Sequence, residues 1–172
     1  MPEQFRNRDC HVLVKGDLFT VTVSDEMAQN GWPGGQGVQW TSPVKDELLV
    51  TFSDGLYAGV LIWGSDELSD RFTAMTLNQP QYRFATIMAG GSLIETTTYE
   101  KYTWASRQVG PLVPLTYTES DRLVFSLRGY WTTEDEWTLS GDLRAPNSYF
   151  IGFVARAPSA SNNFYMTVQT SI

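Results

Sequence analysis

Leu56-Tyr57-Ala58-Gly59-Val60-Leu61-Ile62-Trp63 carries apolar side chains at odd and even positions alike. A strand with one wet face alternates polar and apolar residues. A run without a polar face must be covered on both sides. The segment therefore reads as a central strand, or as a strand whose second face meets another subunit. Tyr149-Phe150-Ile151-Gly152-Phe153-Val154-Ala155 reads the same way.

Around these two runs the chain alternates with a period of two. Phe19, Val21 and Val23 share a face opposite Thr20 and Thr22. Leu48, Val50 and Phe52 oppose Thr51, and Tyr82, Phe84 and Met88 oppose Arg83. Leu123, Phe125 and Leu127 oppose Arg122, Ser126 and Arg128. Trp137, Leu139 and Leu143 oppose Thr138 and Asp142. Phe164, Met166 and Val168 oppose Tyr165, Thr167 and Gln169. Each is expected to be a half-buried strand.

Lys15-Gly16-Asp17, Ser53-Asp54-Gly55, Gly90-Gly91 and Ser140-Gly141-Asp142 supply turns, with Asp54-Gly55 and Gly90-Gly91 the stronger hairpin signals. Strands recurring at roughly ten-residue intervals, about eleven or twelve in all, predict a single all-β domain. The expected fold is an antiparallel β-sandwich or jelly roll over residues 10–172, with very little helix. Ser24 is placed to cap a short turn through Ala28, closed by Asn30-Gly31; Ser65 could cap another through Leu68. The proline-rich 110–114 stretch is expected to cross between sheets. Residues 1–9 are read as a flexible N-terminal arm.

Composition narrows the chemistry. Six Trp, eight Tyr and nine Phe stand beside one His and one Cys. Rings provide packing and contact surface, whereas His and Cys provide most nucleophiles, zinc ligands and near-neutral proton shuttles. Cys10 and His11 are neighbours on a strand, so they point to opposite faces and cannot act as a pair. No G-x-S-x-G elbow or phosphate-binding glycine motif is present, and nothing calls for a cofactor. The net charge of −7 disfavours nucleic acid. No apolar run is long enough for a membrane helix, and the N-terminus lacks the apolar region of a signal peptide. Synthesis in a cytoplasm is expected.

Paired carboxylates remain as an enzymatic option. Glu95 and Glu100 are the best candidates, but their five-residue spacing puts them on opposite faces of a regular strand. Both are expected to be solvated strand acids. The acidic stretches Asp66–Asp70 and Glu134–Glu136 are expected to be solvated loops, with calcium as the alternative.

The residues singled out for contact are Trp32, Trp104, Tyr130 and Trp131, with Phe5 and Arg6 on the arm. Trp32 sits in the loop Gly31-Trp32-Pro33-Gly34-Gly35-Gln36-Gly37. It either presents its ring or folds back as a lid on the sandwich edge. Trp and Tyr are favoured at protein interfaces and on sugars.

In general character the whole chain resembles the β-sandwich auxiliary proteins of tailed-bacteriophage particles, such as capsid cement or decoration proteins. Those are also Thr-rich, acidic and poor in Cys and His; no family motif carries the resemblance. It implies a virion protein that clamps the major capsid protein lattice by contact, as a homo-oligomer, without chemistry. The alternatives are a carbohydrate- or receptor-binding module and a small carboxylate-dependent glycosidase.

Overall fold

The computed structural model of the chain describes residues 9–40, 47–49, 57–65, 84–139 and 152–170. Among them eleven strands form two layers. These are β1 (Cys10–Val14), β2 (Asp17–Val23), β3 (Gly37–Trp40), β4 (Glu47–Leu49), β5 (Tyr57–Leu61), β6 (Phe84–Ala89), β7 (Ser92–Thr96), β8 (Arg122–Phe125), β9 (Trp131–Thr133), β10 (Gly152–Arg156) and β11 (Met166–Thr170). The first layer is a six-stranded antiparallel sheet in the order β1-β7-β11-β10-β8-β9. The second runs β2-β4-β3-β5-β6 and closes on itself as a small barrel. The protein is thus all-β and sandwich-like. One departure from antiparallel pairing is the parallel β2–β4 contact that closes the barrel.

Strand β5 explains the arrangement. Val60 and the following Ile62 face the six-stranded sheet and join Met88, Ile94, Phe125, Trp131 and Val168 in one core. Leu61 and Ala58 face the barrel interior with Val23, Met27, Trp32, Val38 and Ile87. A register shift in the β3–β5 ladder lets Ala58 and Leu61, three apart, share that interior. Both faces of β5 are covered within the one chain, so the central-strand reading holds for Tyr57–Leu61, while Trp63 beyond the strand is exposed. Gly152–Arg156 is likewise central, between β11 and β8.

The two layers are joined at a corner. The β1–β2 and β6–β7 segments each pass from sheet to barrel while lying against each other. β1 pairs β7, and β2 pairs β6 from Asp17↔Ala89 to Thr22↔Phe84. Gly90-Gly91 therefore does not close a hairpin, contrary to expectation, because β6 and β7 belong to different layers. The glycines serve a bend where strands switch sheets. A Cβ on Gly16 would lie 2.6 Å from the Ala89 carbonyl oxygen, and Gly90 adopts a φ of 83°.

Among the described residues three short helices interrupt the strands: α1 (Asp25–Asn30), α2 (Trp104–Gln108) and α3 (Glu134–Leu139). A 3-10 turn spans Ala160–Asn162. α1 forms as its sequence predicts. Ser24 accepts the Met27 amide at 3.3 Å and Gly31 closes the helix at a φ of 74°. The third corrects a strand reading. The Trp137–Leu139 alternation belongs to α3, where the Thr133 hydroxyl accepts the Glu136 amide at 3.1 Å and three acids occupy the first turn. Beyond Thr96 the chain leaves the strand, so the period-two spacing of Glu95 and Glu100 has no meaning. The Phe164 reading also changes: its φ of 62° places it in a turn and leaves it exposed, before β11 buries Met166 and Val168.

Several expectations lie outside the described residues. They are the Leu48–Phe52 run past Leu49, Tyr82-Arg83, Asp54-Gly55, the Ser65 turn beyond Ser65 itself and the Asp66–Asp70 stretch. Ser140-Gly141-Asp142, Tyr149–Ile151 and the arm residues Phe5 and Arg6 also do. Asp9 is described and is tied to the sheet, its carbonyl accepting the Thr97 amide at 3.0 Å.

Candidate interaction surface

The 101–115 segment leaves the sheet and returns. Its stem is closed by two backbone bonds, Thr103 N–H to the Val113 carbonyl and Leu115 N–H to the Lys101 carbonyl, each 2.9 Å. Tyr102 and Pro114 bridge between them. The segment is therefore a hairpin excursion and not a crossing between sheets. Within it α2 starts on Thr103, whose hydroxyl accepts the Ser106 amide at 3.3 Å. The Glu136 carboxylate of α3 accepts the Trp104 amide, satisfying a second free helix donor and placing negative charge at the helix start.

A buried carboxylate holds the base of this excursion. Glu100 is 1% exposed. Arg128 grips it through Nε and Nη2 at 2.5–3.2 Å, Ser126 Oγ donates to it at 2.7 Å, and Arg107 of α2 lies 3.4 Å away. Burial alone would raise the carboxyl pKa. The hydrogen bonds from Arg128 and Ser126 and the two guanidinium charges outweigh it and hold the group below its ordinary range. The Tyr117 hydroxyl reaches the Glu100 carbonyl at 2.6 Å, and burial pushes that phenol well up. Glu100 is thus a structural anchor, which corrects its reading as a solvated strand acid. Glu95 has a different setting: it sits on β7 across from His11, with His11 Nδ1 2.8 Å from its carboxylate. The two acids have separate partners. Cys10 is buried in the core while His11 stacks on Tyr165 from the opposite face.

What the anchored excursion displays is apolar. Val109 is 80% exposed, Leu112 54% and Val113 50%, with Tyr102 and Trp104 partly exposed toward the base. A second apolar zone lies on the outer strands near the corner, where Leu13, Val14, Leu18, Phe19 and Phe84 are exposed.

A third feature is an open groove of about 760 Å³ between α1, the 31–36 loop and the turn joining β8 to β9. Asp9, Glu26, Asn30, Gln36, Arg128 and Tyr130 line it. The Arg128 guanidinium lies 4.1 Å over the Tyr130 ring. Gln36 is buried, and its Nε2 donates to the Arg128 carbonyl at 2.6 Å.

The residues singled out from sequence are dispersed by this arrangement. Trp104 lies on the excursion and Tyr130 on the groove. Trp131 is fully buried, its ring 4.1 Å from that of Phe125, so it offers no contact surface. It is core because β9 pairs β8 on one side and the 98–100 segment on the other. Trp32 is 4% exposed, with its indole N–H donating to the Trp63 carbonyl at 3.0 Å. It is the lid and not a displayed ring. Sequence reasoning passed over Arg107, Arg128, Val109, Leu112 and Val113. The apolar tip was visible in Val109-Gly110-Pro111-Leu112-Val113; the two arginines gave no local signal.

Glu134–Glu136 form a helical first turn and not a loop: Glu134 lies 3.8 Å from Arg122, Glu136 is bound to the Trp104 amide and Asp135 is exposed. Among the described residues no three His, Cys, Asp or Glu side chains converge, and no helix is long and apolar enough to cross a membrane. No protein-family model and no curated protein matches this chain.

Proposed function

We propose that this is a non-enzymatic structural protein that works by contact within a viral particle, as a capsid cement or decoration protein does. The observation that carries the reading is the 101–115 excursion. Three large aliphatic side chains stand in solvent on a segment held by a paired stem, a capped helix and a buried ion-pair network. Apolar side chains displayed on a rigid support suit docking, because little conformational entropy is lost when they are covered. The acidic balance adds solubility before assembly. Partners of this surface are other virion proteins, the major capsid protein first, and further copies of the chain.

The test is composition of virus particles purified from the host that carries this gene. Mass spectrometry is expected to find the chain in fixed proportion to the major capsid protein. A Leu112→Ser/Val113→Ser variant, shown folded by circular dichroism, is expected to be missing from the particles. Absence of the unaltered chain from purified particles would overturn the proposal.

A further inference from the structure

We propose that the free edge of β1 and β2, centred on Gly16, pairs with the same edge of a second copy of the chain in a short antiparallel ladder. β7 and β6 take up one side of this stretch, and β4 meets β2 only at Thr22 and Val23. No described strand pairs with the other side from Val12 to Val21. That side is apolar. Val12, Leu13, Val14, Leu18 and Phe19 are each between 38% and 56% exposed. Neighbours on a strand point to opposite faces, yet Leu13 and Val14 are both uncovered, and so are Leu18 and Phe19. What is missing is therefore cover on both faces at once. A helix laid on one face leaves the other wet. A strand added alongside brings side chains to both faces and takes up the edge N–H and C=O groups as well.

The charges say which strand. Lys15 and Asp17 flank Gly16, both exposed and with no ion-pair partner among the described residues. In an antiparallel pair related by a two-fold axis at Gly16, Lys15 of each copy stands opposite Asp17 of the other. Val14 then stands opposite Leu18, with Leu13 and Phe19 beside them. Opposite charges and apolar pairs directly across a ladder stabilise it, and like charges destabilise it. The adjoining symmetric registers, centred on Lys15 or on Asp17, set that residue against its own copy. Parallel pairing in register does so for both. The stretch complements itself in one register, as an isologous interface requires. An uncharged apolar peptide would leave Lys15 and Asp17 unmatched. The bulge of β1 between Val12 and Val14 limits the ladder to the residues around Gly16. Gly16 itself asks nothing of the second copy, because its amide donates to Met88 Sδ at 3.2 Å. A two-fold axis normal to the sheet keeps each face of both copies on the same side, so both edges bend the same way at the corner. The interface uses no residue of the 101–115 excursion and does not rest on the particle reading.

The experiment is sedimentation equilibrium of the full chain, unaltered and as the variants Lys15→Asp, Asp17→Lys and Leu112→Ser/Val113→Ser, each shown folded by circular dichroism. The unaltered chain is expected to dimerise at micromolar concentration. Lys15→Asp and Asp17→Lys each set like charges opposite one another twice, and each is expected to weaken the dimer roughly tenfold or more. Mixed in equal amounts, those two variants oppose only unlike charges. The mixture is expected to dimerise as tightly as the unaltered chain, which a merely damaged fold would not do. The tip variant Leu112→Ser/Val113→Ser is expected to dimerise unchanged. An unaltered chain that stays monomeric at millimolar concentration overturns the proposal, as does a dimer that neither charge reversal weakens, or a mixture that does not recover. A dimer lost in the tip variant overturns it too, by placing the contact on the excursion. The readout is taken in solution without particles, so failure of this interface and failure of the particle reading are distinguishable.

Discussion

At the scale of single residues, Glu100 separates structure from chemistry in this protein. A glutamate between strand-like Thr and Tyr residues gives no hint of burial. Its partners Arg107 and Arg128 are too distant in sequence for any local pattern to reveal them. Once placed, its energetics are asymmetric. Removing Arg128 leaves the buried carboxylate with only Arg107 and Ser126, whereas removing the carboxylate leaves two arginines that reach solvent. Arg128→Ala is therefore expected to cost about 3 kcal/mol, and Glu100→Gln about 1–2 kcal/mol. Urea unfolding of both variants checks the order, and a larger loss for Glu100→Gln would contradict the anchor. The pH dependence follows from the same geometry. The folded carboxyl binds its proton less readily than the unfolded one, whose pKa is about 4.3. Its contribution is therefore complete above that value and is lost as the pH falls through the ordinary range toward the folded pKa. The stability gap between the unaltered chain and Glu100→Gln should be widest at neutral pH and shrink in acid. An equal gap at pH 7 and about pH 3 would mean that the carboxylate is not held ionised.

At the scale of elements, the readable pieces were those whose signal is local and complete. Ser24 with Asn30-Gly31 brackets one helix turn at both ends, and α1 is there. Thr133 with Glu136 is an equally good start signal, but Trp137 and Leu139 also fit a strand, and two apolar residues cannot decide between periods. The capping pattern should have prevailed, because it names hydrogen bonds and not only a face. Gly90-Gly91 failed for a different reason. A glycine pair is needed both for tight hairpin turns and for close backbone approach at a corner, and only the pairing of distant strands tells them apart. α2 illustrates how little holds a five-residue helix: its own propensity is marginal, so caps and anchors dominate. Thr103→Ala removes the acceptor for Ser106 and is expected to cost about 1 kcal/mol. The loss should appear as faster amide exchange across Trp104–Gln108, with the β-sheet amides protected as before. Uniform acceleration throughout the chain would show that the excursion is not an independently opening unit.

At the scale of the whole molecule, the buried rings among the described residues divide between two cores that share strands. Trp131, Phe125, Tyr99 and Tyr117 fill the space between the layers, and Trp32 closes the barrel. The sequence conveyed that such a sandwich exists through its period-two runs and its two apolar strands. The barrel closure it could not convey, since the parallel β2–β4 contact depends on which edges meet after folding. Sharing has a thermodynamic consequence. Val60 of β5 and Met88 of β6 belong to one core, while their chain neighbours Leu61 and Ile87 belong to the other. Neither core can lose its packing without releasing a strand that the other needs. Val60→Ala and Leu61→Ala, each deleting fully buried aliphatic carbon, should both destabilise by about 2–4 kcal/mol and lower one common melting temperature. Gly16→Ala strikes the corner instead, forcing a Cβ against the Ala89 carbonyl, and should cost about 1–3 kcal/mol in the same single transition. Calorimetry supplies the check, through equality of the calorimetric and van't Hoff enthalpies. Two resolved transitions in any of the three variants would show that barrel and sheet unfold separately, and that the strands between them do not couple the cores.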